Sequence, residues 1–226
     1  MKLITNAENV DVLYDDNHVI AVNKRAGDIV QGDKTGDIPL SDIVKAYLKK
    51  KYNKPGEVFL GVVHRLDRPT TGVVLFAKTS KALSRLNTMF ANKEEVQKTY
   101  WALVDAAPPA EEGTLTHWLV RNEKQNKSVA HQKEVQHSKK AELHYKLLKT
   151  YDRYYLLEID LITGRHHQIR AQLAAIGLHI KGDLKYGAKR SNPDGGICLH
   201  AHSLRFLHPV KKETISIEVA PNWQIN

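Results

Sequence analysis

Residues 62–78, VVHRLDRPTTGVVLFAK, place an arginine, a carboxylate and two threonines between two apolar runs. Gly61–His64 reads as a short strand that leads into the charged residues. Pro69 and Gly72 punctuate a turn. Val73–Ala77 is too continuously apolar for an exposed strand and is expected inside a sheet. Asp67 therefore follows a strand and lies near a turn, where a rigid sheet holds reacting groups. A carboxylate there acts as nucleophile or as acid–base group. In an extended segment Arg65 shares a face with Asp67, so it can pair with the carboxylate, keep it ionised or bind phosphate. The alternative is an Arg–Asp pair that only braces the turn.

Working outward, VDVLYDDNHVIAVNKRAGDIV reads as two short strands joined at Asp15-Asp16-Asn17. Leu40, Ile43, Val44 and Tyr47 recur at helical spacing and predict a helix over Leu40–Lys50. Downstream, Thr79 or Ser80 caps a second helix with Leu83, Leu86 and Phe90 as its buried stripe. VQKTYWALVDA reads as strand, and AAPPAEEG as a surface excursion. YYLLEIDL is another strand, followed by a helix with Ile169, Leu173 and Ile176 inward and Gly177 at its end. KETISIEVA is a late strand with Ile215 and Ile217 on one face. Strands dominate, without a regular βαβ rhythm, so the class is α+β: an extended, mostly antiparallel or mixed sheet flanked by helices and basic loops. A single domain over residues 1–226 is expected, since no second core of adequate size stands apart.

The totals narrow the chemistry. Lys plus Arg number 34 against 25 Asp plus Glu, a formal net charge of +9. Such an excess attracts polyanions, RNA or DNA first among them, although a merely basic surface gives the same sum. Residues 121–140 hold six Lys/Arg against two Glu, a local charge of +4. This stretch is either a solvated hairpin or a basic arm lying along phosphates. One cysteine, Cys198, excludes an intramolecular disulfide and argues against a thiolate metal site. The polar start MKLITNAENV does not read as a signal peptide, and no run is apolar enough for a membrane span. Cytoplasm is the expected compartment, and a monomer the expected state, because no long apolar face is left over.

Three further clusters bear on function. Tyr100 shares a strand face with Lys98, which suits stacking on a base as well as ordinary burial. In TGRHHQIRAQLAAIG, residues Arg165, His166, His167, Gln168 and Arg170 gather at a predicted helix start, where free backbone donors and guanidinium groups favour anions. Adjacent histidines diverge on a helix and no Cys or Glu completes a set, so metal is not expected. The histidines of CLHAHSLRFLHP read as half-buried structural groups.

These stretches together resemble the pseudouridine synthases of the RluA class. HRLDRPTTG (64–72) is similar to their HRLD-x-x-T-S-G signature, KTY (98–100) to their tyrosine motif, TGRHHQIR (163–170) to their arginine motif, and LHAHSLRFLHP (199–209) to their C-terminal motif. VLYDDNHVIAVNKRAG (12–27) looks like the family's opening strands. The resemblance implies that Asp67 is the catalytic aspartate and that Arg65 helps to hold a flipped-out nucleotide. It implies that Tyr100 packs on the target base and Arg170 pairs with the catalytic carboxylate. It places Leu204 as an apolar wall of the pocket, with Thr70, Thr71, Arg165, His167 and Gln168 among the substrate-binding residues. The implied reaction turns uridine in RNA into pseudouridine and needs no cofactor. Three departures stand out: Thr71 for the usual Ser, His166 for the usual Thr of the arginine motif, and Arg25 for the usual Pro. None removes a catalytic group. The family's N-terminal S4-like domain is expected to be missing, which resembles the compact branch acting on transfer RNA, ribosomal RNA or both. A catalytically inactive RNA binder would show a broken Asp67 or Arg170 position, and neither is broken. An Asp-nucleophile hydrolase would want a second carboxylate in a comparable setting, which Asp183 and Asp194 do not offer.

Overall fold

The computed structural model describes residues 4–92 and 95–223, so the first three residues of the polar start lie outside it. In chain order it contains β1 (Val12–Asp15), β2 (Val19–Lys24), α1 (Leu40–Lys51), β3 (Gly61–Val62), β4 (Thr71–Ala77), α2 (Ser80–Asn92) and β5 (Val96–Val104). There follow β6 (Glu112–Asn122), β7 (Lys127–His131), β8 (Lys139–Thr150), β9 (Tyr155–Leu161) and α3 (Gln168–Ala175). A 3-10 turn (Leu184–Tyr186), β10 (Leu199–Leu207) and β11 (Thr214–Glu218) follow within the described residues, and the class is α+β. The chain divides into two compact units, Met1–Lys98 with Ala201–Asn226, and Thr99–His200. Among the described residues no helix is long and apolar enough to cross a membrane.

In the first unit β1 and β2 pair antiparallel, β2 pairs antiparallel with β4, and β3 pairs with β4. The β1–β2 turn forms where the sequence predicts it. The Asp16 carboxylate accepts the backbone N–H groups of His18 at 2.8 Å and Val19 at 2.9 Å. Residues 72–77 of β4 are buried without interruption, as a central strand requires. Val73, Leu75 and Ala77 pack with Val19 and Ala21 of β2, Ala82, Leu86 and Met89 of α2, and Leu204, Phe206 and Ile217. Each large aliphatic chain so buried contributes about 1.5–3 kcal/mol.

The helices differ from their sequence reading in rotation rather than position. In α1 the buried residues are Leu40, Ser41, Val44 and Leu48, one row over from Tyr47. In α2 the deepest residues are Ala82, Leu86 and Met89, while Leu83 and Phe90 lie at the margin of the cluster. Leu83 instead covers Gly61 of β3, where an added Cβ would come within 2.6 Å of its Cδ2. Thr79 is the cap, its hydroxyl accepting the Ala82 N–H at 3.1 Å.

The second unit is built on antiparallel pairs β6–β7, β6–β8, β8–β9 and β5–β9. Leu119, Ala141, Ala171 and Tyr186 form one core cluster there, and Leu143, Tyr145, Leu157 and Ile159 are buried along the strands. The basic stretch 121–140 resolves into the turn between β6 and β7, strand β7, and the loop that leads to β8.

Candidate functional site

Asp67 lies on the irregular segment between β3 and β4, half-buried, with Arg65 exposed. Strand pairing stops at Val62, so Arg65 and Asp67 follow the strand rather than belong to it. The segment is held through its main chain. Lys24, only 1% exposed at the end of β2, donates from Nζ to the carbonyls of Thr70 at 2.7 Å, Arg68 at 3.0 Å and Arg25 at 3.0 Å. The Gly27 N–H adds a bond to Arg68 O at 2.8 Å, and the Thr70 N–H closes the turn onto Asp67 O at 3.0 Å. A buried ammonium surrounded by carbonyl oxygens is satisfied without water. Arg68 faces the other way, its guanidinium binding Asp37 at 2.6 Å and the Thr35 hydroxyl at 2.9 Å.

Two neighbours stiffen the same segment. His64 accepts the Leu75 N–H on Nε2 at 3.0 Å and stacks on Phe90 with centroids 5.2 Å apart. Burial, helped by the charge of Lys98, pushes its pKa down to about 3, so the ring is neutral and its proton sits on Nδ1. Gly72, at φ 112°, ends the motif against Ala201, and a Cβ there would lie 2.3 Å from the Ala201 carbonyl oxygen. No other residue fits that backbone and that gap. Thr70 is buried at 2% exposure and Thr71 is half-buried at the start of β4.

In the second unit Tyr100 stands opposite Ile159 on the buried face of β5, at 7% exposure. Its neighbours fix the strand: Thr99 Oγ1 donates to Asp160 at 2.7 Å and Trp101 Nε1 to Glu158 at 3.3 Å. Lys98, in the first unit, lies over the Phe90 ring at 4.6 Å.

The turn 163–170 gathers the remaining basic groups. Gln168 spends both ends of its amide on the chain. Its Oε1 accepts from Thr163 Oγ1 at 2.7 Å and the Arg165 N–H at 2.9 Å, and its Nε2 donates to Glu142 O at 3.0 Å. Arg165 is exposed and donates from Nε to Lys140 O at 3.1 Å. His167, at φ 52°, caps α3 and sets Nδ1 3.0 Å from the Tyr186 hydroxyl. Arg170 is 5% exposed and engages Asp183 twice, Nε to Oδ2 at 2.7 Å and Nη2 to Oδ1 at 2.8 Å. Its guanidinium carbon lies 5.0 Å over the Tyr186 ring. Asp183 is thus a partner of Arg170 that sequence reading did not assign.

Leu204 is 2% exposed within the core cluster of the first unit. His200 and His208 are buried, deeper than their half-buried reading. Sequence reasoning gave Lys24 and His64 no role of their own, and it weighed Asp183 only as a second carboxylate, not as the partner of Arg170. Lys24 had a signal, because it shares its strand phase with Ile20 and Val22 and so points where an apolar side chain belongs. Asp183 had none, lying in a loop beyond α3. Among the described residues no group of three His, Cys, Asp or Glu is set to hold a metal ion. Burial raises the Cys198 thiol to about 11, which leaves it unreactive at neutral pH.

Comparison with known proteins gives a consistent picture. A family described as RNA pseudouridylate synthase matches residues 18–175. An uncharacterized RNA pseudouridine synthase of Bacillus subtilis, YlyB, is 31% identical over 221 residues, covering 96% of this chain and 71% of that protein. The ribosomal large subunit pseudouridine synthase D of Xylella fastidiosa is 34% identical over 226 residues, covering 94% and 66%. The chain therefore spans about two thirds of the length of these relatives. The structure of human RNA pseudouridylate synthase domain containing 4 superposes with a TM-score of 0.77 at 23% identity, covering 94% of this chain and 89% of that one, a likeness of fold.

Proposed function

The chain belongs to the RNA pseudouridylate synthase family, and from that premise we propose the roles of its residues and the RNA on which it acts. The reaction is isomerisation of uridine in RNA: the N1–C1′ bond breaks, the uracil turns, and C5 bonds to C1′. The proton lost from C5 is balanced by one gained at N1, so no redox partner is required.

Asp67 supplies the catalytic carboxylate, either by attack on C1′ or by taking the C2′ proton in a glycal route. The observation that carries this reading is the fixed main chain around it. Three carbonyls of residues 25, 68 and 70 converge on Lys24, and the Thr70 N–H closes onto Asp67 O. A reacting group on a loop needs such support, since small displacements are costly in rate. Tyr100 stacks on the uracil, and Arg170 is the basic partner that the resemblance assigns to the catalytic carboxylate. Arg65, exposed, contacts the displaced nucleotide. Thr70, Thr71 and Leu204 shape the pocket, and Arg165 meets phosphate. His167 and Gln168 hold the turn that carries the two arginines. Extruding a stacked base costs a few kcal/mol, which phosphate contacts from a chain of net charge +9 offset.

The substrate is ribosomal RNA, in line with the large-subunit enzymes among the relatives. The protein works as a monomer in the cytoplasm, with residues 1–226 acting as one catalytic domain. Asp67→Asn tests the assignment: conversion of uridine in a ribosomal RNA transcript is abolished while RNA binding is largely kept. Retained turnover would remove Asp67 from its role.

A further inference from the structure

The β6–β7 hairpin carries Arg121, Lys124 and Lys127 and has no part in the chemistry above. Its turn is built to be specific. Asn122 Oδ1 accepts the Gln125 N–H at 3.1 Å, Glu123 O accepts the Asn126 N–H at 3.2 Å, and Asn126 adopts φ 46°. A basic hairpin with a polar tip is ordinarily mobile. This one is tied down at several points. Ser128 N–H donates to the Tyr186 hydroxyl at 2.8 Å, and that hydroxyl reaches Ser128 O at 3.2 Å. Lys185 Nζ donates to Asn126 O at 3.1 Å. His166 spans the gap between tip and base: its Nε2 lies 3.1 Å from Asn126 Oδ1 and its Nδ1 2.9 Å from Ser128 Oγ. The Ser128 hydroxyl also lies 2.7 Å from His166 O. Asn126 Oδ1 only accepts, so Nε2 donates to it and is the ring's hold on the tip; the single Ser128 hydroxyl proton serves either His166 O or Nδ1, not both at once.

We propose that His166 is a positioning residue for RNA recognition, a clasp that fixes the tip of the basic hairpin so that Arg121, Lys124 and Lys127 meet the phosphate backbone as a preset edge. The proposal rests on the reading that the protein acts on RNA. Ordering a loose basic tip at the moment of binding weakens affinity, and a clasp removes that cost beforehand. Threonine, the residue that the RluA class resembled by this chain has at this place, lacks a ring to span from the turn to Asn126. Replacing His166 leaves the Ser128 hydroxyl its bond to the carbonyl of residue 166, so the buried base of the hairpin stays satisfied.

The test uses the full chain as wild type, His166→Thr and His166→Gln, the last keeping an N–H at similar reach. Hydrogen exchange is followed at residues 121–128 without RNA. His166→Thr is expected to speed exchange there about 3- to 10-fold, and His166→Gln to bring it back toward wild type. With a large-subunit ribosomal RNA transcript, His166→Thr raises KM about 3- to 10-fold and leaves kcat within about 2-fold, and His166→Gln restores KM. Unchanged exchange in His166→Thr, equal acceleration in both variants, or a fall in kcat at constant KM would each overturn the clasp. If no variant makes pseudouridine from any transcript, the reading of the reaction has failed. Exchange rates and the salt dependence of transcript binding then still decide whether His166 holds the hairpin.

Discussion

Among the described residues, Lys24 of the first compact unit and Arg170 of the second are both buried long cations, and the two are used in opposite senses. Lys24 is surrounded by carbonyls of residues 25, 68 and 70, so a charge organises the chain around it. Arg170 is gripped by the Asp183 carboxylate through Nε and Nη2, so an anion organises the charge. The first arrangement fixes a stretch of backbone. The second fixes the plane of one guanidinium, and the adjoining turn is held separately by the Gln168 amide. Buried charges cost several kcal/mol to desolvate, and both solutions offset that cost with multiple well-aligned partners.

The contrast is most severely tested at Asp183. Asp183→Asn takes away the charged carboxylate that grips the Arg170 guanidinium through Nε and Nη2, and a loss of about 3–5 kcal/mol in denaturant unfolding is expected. Lys24→Met, close in shape, leaves the Thr70 carbonyl without its donor and loosens the Asp67 segment. About 3 kcal/mol of stability is expected to go, and turnover should fall further than the stability loss alone explains. Equal damage to turnover from an exposed control such as Lys49→Met would erase the distinction. Gly72→Ala probes the same segment from its other end. With φ 112° and a Cβ 2.3 Å from Ala201 O, a loss of about 2–3 kcal/mol is expected by thermal melting.

The smallest effect is a pH dependence. The folded value of His64 is about 3 against an ordinary 6.5, so the unfolded chain takes up a proton that the folded chain refuses. Its contribution is full above 6.5 and is lost as pH falls toward about 3. Chemical denaturation across that window should show a shallower pH slope in His64→Gln than in wild type. Equal slopes would mean that the folded chain does not hold His64 neutral across this window.

How far the sequence disclosed this can be judged residue by residue. β4 was readable because a run from Val73 to Ala77 without polar breaks has few homes other than a central strand. The Asp16 turn and the Thr79 cap were readable because their side chains act on backbone only two or three residues away. Most of β8 received no assignment from the sequence, although Ala141, Leu143 and Tyr145 alternate with Lys140, Glu142 and His144. Asp67 and Arg170 stood out by type and motif. Their supports did not, because Lys24 lies 46 residues from its partner Thr70 and Asp183 lies 13 residues from Arg170. Contacts of that range leave no local pattern, and only the burial phase of β2 hinted that Lys24 was unusual.

Lys24 touches main-chain oxygens, and every amino acid presents the same oxygen. Its grip is therefore indifferent to which side chains occupy positions 25, 68 and 70. Arg25, whose guanidinium reaches Asn9 at 2.9 and 3.1 Å, stands at one of those positions without disturbing the lysine. A lineage is free to exchange the outward groups of this segment and so alter its taste for RNA, while the carboxylate between them stays where it was.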